Sequence, residues 1–231
     1  MKKFLTGLNN NQLKVIAMIS MLLDHAGREL FPEITLLPII GRLAFPIFSY
    51  MIAEGCRYTK NRKKYILIIG LLAAGCQTVF YITTKSLYMN VLVTFTLSVA
   101  VIFLSDNFIR KRTLHTFIPA FLISVLSVFL CIFLPDILSS TDFQIDYGLA
   151  GLLLPVAVYF APDRKSKLAV FSVMLCILSL VMGGIQWYSL AVIPLILLYN
   201  GKRGKMNLKY MFYIFYPLHL AVIYLIGIII R

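Results

Sequence analysis

Six ionisable side chains interrupt stretches that are otherwise apolar: Lys14, Asp24, His25, Arg42, Glu54 and His219, with Asp106 near the end of a further run. An ionisable group at bilayer depth costs a few kcal/mol on insertion scales, so each is a candidate for function. His25 carries the side chain best matched to taking a proton from a hydroxyl or amine near neutral pH. Lys14 precedes it by eleven residues, close to three helical turns and about 16 Å of rise. Lys14, Ser20-Met21 and His25 therefore lie near one helix face, a cation at one end and an imidazole toward the other. Asp24 points about 100° away and is suited to orienting a residue of a neighbouring helix. Arg42 cannot shed its charge and needs an internal anion, with Asp24 and Asp146 the candidates. Glu54 is expected to pair with Lys14 or with the basic cluster at Arg57. Pro46 is expected to kink its helix and open a polar cavity, and Pro217 to open the surroundings of His219.

The elements that hold these residues follow from composition. Of 231 residues, 60% are hydrophobic and 13% charged, with 22 Lys and Arg against 9 Asp and Glu; the mean hydropathy is +0.88. So few charges cannot cover a soluble surface over so much apolar content. Intrinsic disorder is excluded by the same arithmetic, and so is a soluble nucleic-acid binder, despite a net charge of +13. Apolar segments fall at 13–30, 34–56, 65–84, 91–108, 116–138, 147–161, 168–184, 186–199 and 210–230. That is nine, with eight to ten compatible: the sixth and eighth are short, and only Met182-Gly183-Gly184-Ile185 separates the seventh from the eighth, leaving a re-entrant hairpin open there. The expected fold is all-α, a polytopic membrane helix bundle of about nine transmembrane helices forming one domain over residues 1–231.

Charge in the loops orients the bundle. Basic clusters fall at Lys2-Lys3, Arg57 to Lys64, Arg110 to Arg112, Arg164 to Lys167 and Lys202 to Lys209. Nine spans with the N-terminus inside put every cluster on the cytoplasmic side, 17 of the 22 basic residues. The opposite loops hold Arg28, Glu29, Glu33, Lys85, Asp136, Asp142 and Asp146, mostly acidic. The N-terminus is thus expected in the cytoplasm, the C-terminus outside it, and the whole in the cell membrane. Lys2-Lys3 and the following apolar residues resemble a signal peptide, but Asn9 to Gln12 interrupts the run and no small-residue cleavage site follows the next one. Phe4–Leu8 reads as an amphipathic lead-in on the inner leaflet. Cys56, Cys76, Cys131 and Cys176 sit in apolar segments without CxxC spacing and read as small hydrophobes. With inter-span loops so short, chemistry must occur within the bundle or at its mouths.

The stretches Leu13–Gly27 (LKVIAMISMLLDHAG), Ile40–Thr59 (IGRLAFPIFSYMIAEGCRYT), Asn90–Phe95, Asp146–Gly151 and Tyr213–Leu220 (YIFYPLHL) resemble the TraX family of membrane proteins. The family's namesake acetylates the N-terminal amine of a conjugative pilin. More distantly, Lys14 and His25 resemble the basic-x10-His pattern on the first helix of transmembrane acyltransferases that modify surface polysaccharides, where the basic residue is usually Arg. The resemblance implies acetyl-CoA or another acyl-CoA as donor on the cytoplasmic side, no metal, and an acceptor reached from outside, a pilin-like peptide or a surface glycan. On this reading His25 is the general base, Arg42 or His219 stabilises the oxyanion, and Asp24 sets a tautomer or holds Arg42. Lys14, Arg57, Lys60, Arg62, Lys63 and Lys64 would hold CoA phosphates, and Asn90, Asp146, Tyr147 and Tyr216 would meet the acceptor. The alternatives are a small-molecule or lipid transporter using the same buried ions, and a regulatory or assembly protein in which they are helix glue. A zinc hydrolase ranks last, because no HExxH motif is present.

Overall fold

The computed structural model describes residues 7–205 and 208–230. The Lys2-Lys3 cluster and residues 4–6 of the Phe4–Leu8 lead-in lie outside the described residues. Among those described the chain is helical, with two isolated bridges, Leu8 to Tyr199 and Met89 to Ile145.

Helix α1, Asn10–Glu29, starts at a capping box: the Asn9 side chain accepts from the Gln12 N–H at 3.1 Å, and the Gln12 side chain accepts from the Asn9 N–H at 2.9 Å. Its buried residues Leu13, Ala17, Ser20, Met21, Asp24 and Gly27 recur every three or four positions, which makes one face. The second apolar segment divides into α2, Leu36–Gly41, and α3, Ala44–Tyr58, with the break at Arg42-Leu43. Pro46 stands in the first turn of α3, where a missing N–H is no loss. Its ring disfavours a helical carbonyl four residues earlier, at Arg42. The interruption expected at Pro46 is therefore displaced to Arg42, which becomes a helix terminus.

Helix α4, Arg62–Thr84, is capped by Asn61, whose side chain accepts from the Lys64 N–H at 2.9 Å. It is followed by α5, Val91–Lys111, and α6, Leu114–Val128. A π-helical turn at Phe129–Phe133 leads into α7, Leu134–Ile137. The wider turn falls where the ring of Pro135 meets the preceding carbonyls. Helices α8, Gly148–Phe160, and α9, Arg164–Met182, come next. Gly183 then turns the chain at φ 66° and ψ −166°, a conformation open essentially to glycine alone. A 3-10 segment, Gly184–Val192, runs into α10, Ile193–Leu197, and the chain ends in α11, Lys209–Ile230, which passes through Pro217.

The chain divides into two compact units, Met1–Met51 with Leu175–Arg231, and Ile52–Met174. In the first, α1 packs on α2 and α11, and α2 packs on the 3-10 segment. In the second, α5 is central and packs on α4, α6 and α8. The Ser98 hydroxyl donates to the Leu152 carbonyl, 2.8 Å, and Thr94 to the Asp146 carbonyl, 2.7 Å, stitching α5 to the start and body of α8.

Five helical stretches are long and apolar enough to cross a membrane: Leu36–Tyr58, Arg62–Thr84, Val91–Lys111, Leu114–Ile137 and Arg164–Met182. Gly148–Phe160, Gly184–Leu197 and Tyr213–Ile229 are shorter and also apolar. In the most apolar windows of Arg62–Thr84 and Leu114–Ile137 only 11% of residues are buried. Leu67, Leu71, Phe121 and Leu122 are more than half exposed. Contiguous apolar faces of that size are stable in lipid and not in water.

Candidate active site in the first unit

Six polar residues of the first unit, Asp24, His25, Arg28, Arg42, Gln186 and His219, gather on α1, at the end of α2, on the 3-10 segment and on α11. Asp24 and Arg42 are both buried, and their side chains form an ion pair. Arg28, one turn further along α1, adds a second contact to Asp24 at 3.3 Å from the exposed side. Arg42 also donates from Nε to the Pro38 carbonyl, 3.3 Å, and from Nη1 to Oε1 of Gln186, 3.4 Å. In this geometry Asp24 holds Arg42. It also supplies the anion that Arg42 requires, whereas the Asp146 carboxylate accepts from the Tyr88 hydroxyl at 2.7 Å. Gly41 makes the approach possible, since a Cβ there would stand 2.3 Å from that of Asp24.

His25, half-buried on α1, lies against His219 of α11, with ring centroids 5.2 Å apart and planes at 56°. His219 is buried, stacks on Phe215 at 4.8 Å and meets the Tyr216 ring edge-on at 5.6 Å. Its Nδ1 is 2.8 Å from the Phe215 carbonyl oxygen. A carbonyl only accepts, so Nδ1 carries the proton, and neutral His219 presents Nε2 as a bare acceptor. That Nε2 is buried and has no hydrogen-bond partner among the described residues. In this tautomer His219 receives a proton more readily than it donates to an oxyanion. Lys14 and His25 both lie on α1, with buried Met18, Ser20 and Met21 between them.

The second unit holds the other predicted residues. Arg57 donates to the carbonyls of Tyr159, 2.7 Å, and Ala161, 3.1 Å, which closes the end of α8. Arg62 binds Asp106 at 2.5 Å and lies over the Phe103 ring. Arg110 joins the same carboxylate at 2.9 Å. Lys60, Lys63 and Lys64 are exposed. Glu54 receives the ammonium of Lys167, a buried pair on α3 and α9. Asn90 caps α5: its side chain accepts from the Leu92 N–H at 2.9 Å and donates to Gln77 at 2.8 Å. Tyr147 precedes α8 in the left-handed region at φ 60°. Among the described residues no three His, Cys, Asp or Glu stand together to hold a metal ion.

Sequence reasoning missed Gln186 and Lys167. Gln186 had a signal, an amide within an apolar segment after a Gly-Gly turn. Lys167 had none, since it closes a basic cluster that reads as solvated loop.

No solved structure matches the chain. It is similar to the probable fimbrial assembly protein FimC, serogroup H1, of Dichelobacter nodosus, 27% identical over 92% of this chain and 93% of that protein. It is also similar to the uncharacterized protein RP591 of Rickettsia prowazekii (strain Madrid E), 28% identical over 68% of this chain and 57% of that one. The TraX protein family profile matches residues 9–227, almost the whole chain, which therefore belongs to the TraX family.

Proposed function

We propose that this chain is an integral membrane acyltransferase that moves an acetyl group from cytoplasmic acetyl-CoA to an amine or hydroxyl presented on the far side of the cell membrane. The observation that carries the reading is the pair of imidazoles, His25 and His219, 5.2 Å apart near the C-terminal end of α1, where Asp24 and Arg42 form their ion pair. Two histidines in contact, one with a bare and unpartnered Nε2, make a proton acceptor with a place to pass the proton on. His25 deprotonates the acceptor as its nitrogen or oxygen attacks the thioester carbon. The carbonyl electrons move to oxygen, and collapse of the adduct breaks the C–S bond and returns the proton to the CoA thiolate.

For the donor, Lys14 lies about one turn inside the start of α1, and Lys60, just before α4, with Lys63 and Lys64 in its first turn, are exposed cations. The fimbrial assembly name of one relative supports a pilin-like peptide amine as acceptor, with a surface glycan as the other class. Nine crossings, N-terminus in the cytoplasm and C-terminus outside, bring all basic clusters to one side. The eighth crossing is short in residues but not in reach. Nine 3-10 residues at about 2.0 Å and five α-helical ones at about 1.5 Å give about 25 Å, close to a hydrocarbon core.

The test is purified protein in detergent or nanodiscs with radiolabelled acetyl-CoA. His25→Ala should lower acetyl transfer or thioester hydrolysis by at least about 100-fold while leaving the unfolding temperature unchanged. Full retained activity overturns the reading.

A further inference from the structure

Gln186 was assigned no role by its sequence, yet its amide carries a buried donor with no partner among the described residues. It is 3% exposed. Oε1 faces Arg42 Nη1 at 3.4 Å, and this orientation is forced, because guanidinium only donates and so must meet the amide oxygen. The Nε2 amino group is then the end left over, buried with no partner among the described residues. A buried donor without an acceptor costs about 1–3 kcal/mol. The backbone around it is held firmly. The Gln186 N–H donates to the Gly183 carbonyl at 3.1 Å, and its own carbonyl accepts from Ser179 at 3.2 Å. Gly183, in a conformation reserved for glycine, delivers the chain into this position. Arg42, the expected oxyanion partner, is already engaged with Asp24, Gln186 and the Pro38 carbonyl. His219 in the tautomer fixed by Phe215 offers no N–H at Nε2. Gln186 Nε2 is thus a buried donor left uncommitted among the described residues, polarised by the guanidinium on its oxygen.

We infer that Gln186 is a catalytic residue whose Nε2 donates to the acyl carbonyl oxygen of the thioester, more strongly as that oxygen becomes an oxyanion. The inference rests on the acyl-transfer reading and adds to it the group that recognises the acyl carbonyl. Arg42 positions this donor from the far end of the amide and is itself held by Asp24.

The experiment compares wild type, His25→Ala, Gln186→Glu, Gln186→Met and Gln186→Leu in the labelled acetyl-CoA assay, with unfolding temperatures for each. Gln186→Glu keeps an acceptor for Arg42 and removes the donor. Gln186→Met keeps the volume and removes the donor, so one of the two reports even if the other, or Gln186→Leu, fails to fold. The expected result is a fall in kcat of about 10²–10³ in Gln186→Glu and Gln186→Met, with KM for acetyl-CoA near the wild-type value. If Gln186→Glu retains wild-type kcat while Gln186→Leu loses it, Gln186 only braces Arg42 and the donor role is overturned. If wild type shows no His25-dependent transfer, the acyl-transfer reading itself fails and the inference falls with it.

Discussion

Asp24 receives a guanidinium from either side, Arg42 from the interior and Arg28 from the surface, and its carboxylate is the anion among the described residues that neutralises Arg42. Removing one partner of a buried pair leaves the other charge uncompensated. Asp24→Ala should therefore lower stability by about 3–5 kcal/mol, read as earlier thermal unfolding in detergent. Gly41→Ala attacks the same contact sterically, since its new Cβ would lie 2.3 Å from that of Asp24. The two helices must part or the carboxylate must move, at about 1–3 kcal/mol. Gly75→Ala is the control: nothing lies within 4 Å of a Cβ there, so the change should be neutral or stabilise α4 by about 0.5–1 kcal/mol. If Gly41→Ala unfolds at the same temperature as Gly75→Ala, the close approach of α1 and α2 is wrong.

At the level of elements, prolines and glycines decide where helices stop, and small polar side chains decide how. Pro46 ends α2 at Arg42, and that is what turns a mid-helix cation into a terminus able to reach both Asp24 and Gln186. The start of α9 is set by Asp163, whose carboxylate accepts from the Ser166 hydroxyl, 2.7 Å, and from the backbone N–H groups of Lys165, 2.8 Å, and Ser166, 3.1 Å. The Ser166 contacts, followed by the Lys165 N–H, hold this carboxyl below its ordinary range. A carboxyl with a lower pKa when folded binds its proton more readily unfolded, so its contribution is full above the unfolded pKa and fades as pH falls through the folded one. The stability gap between wild type and Asp163→Asn should shrink as pH is lowered from about 6 toward about 3. A gap that widens on acidification would contradict the cap.

On the scale of the whole molecule, the exposed apolar faces of α4 and α6 and the proposed placement of the basic clusters on the cytoplasmic side make a topology that labelling can read. In a variant with Cys56, Cys76, Cys131 and Cys176 replaced, a single cysteine at Lys60 should react with an impermeant maleimide only in opened cells. A cysteine at Ser86 or Ser140 should react in intact cells. Labelling of position 60 from outside would overturn the nine-crossing arrangement.

Much of this was legible without coordinates. Apolar runs and loop charge specify a helical membrane bundle, because lipid leaves the backbone no other way to satisfy its hydrogen bonds. Three- and four-residue spacing on α1 gives the Lys14–His25 stripe, because helical phase is a local property. Which ions meet was not legible. Arg42 had two candidate anions, and the packing of α2 on α1 chose Asp24. Glu54 was expected to find its cation at Lys14 or near Arg57, and the partner the fold gives it is Lys167, 113 residues away. His219 reaches His25 across nearly the whole chain, and Gln186 acquired meaning only when Arg42 claimed its oxygen. Spacing along a helix is written into the sequence, but the partner of a buried charge is fixed only when distant helices close on one another and exclude every other solvent for it.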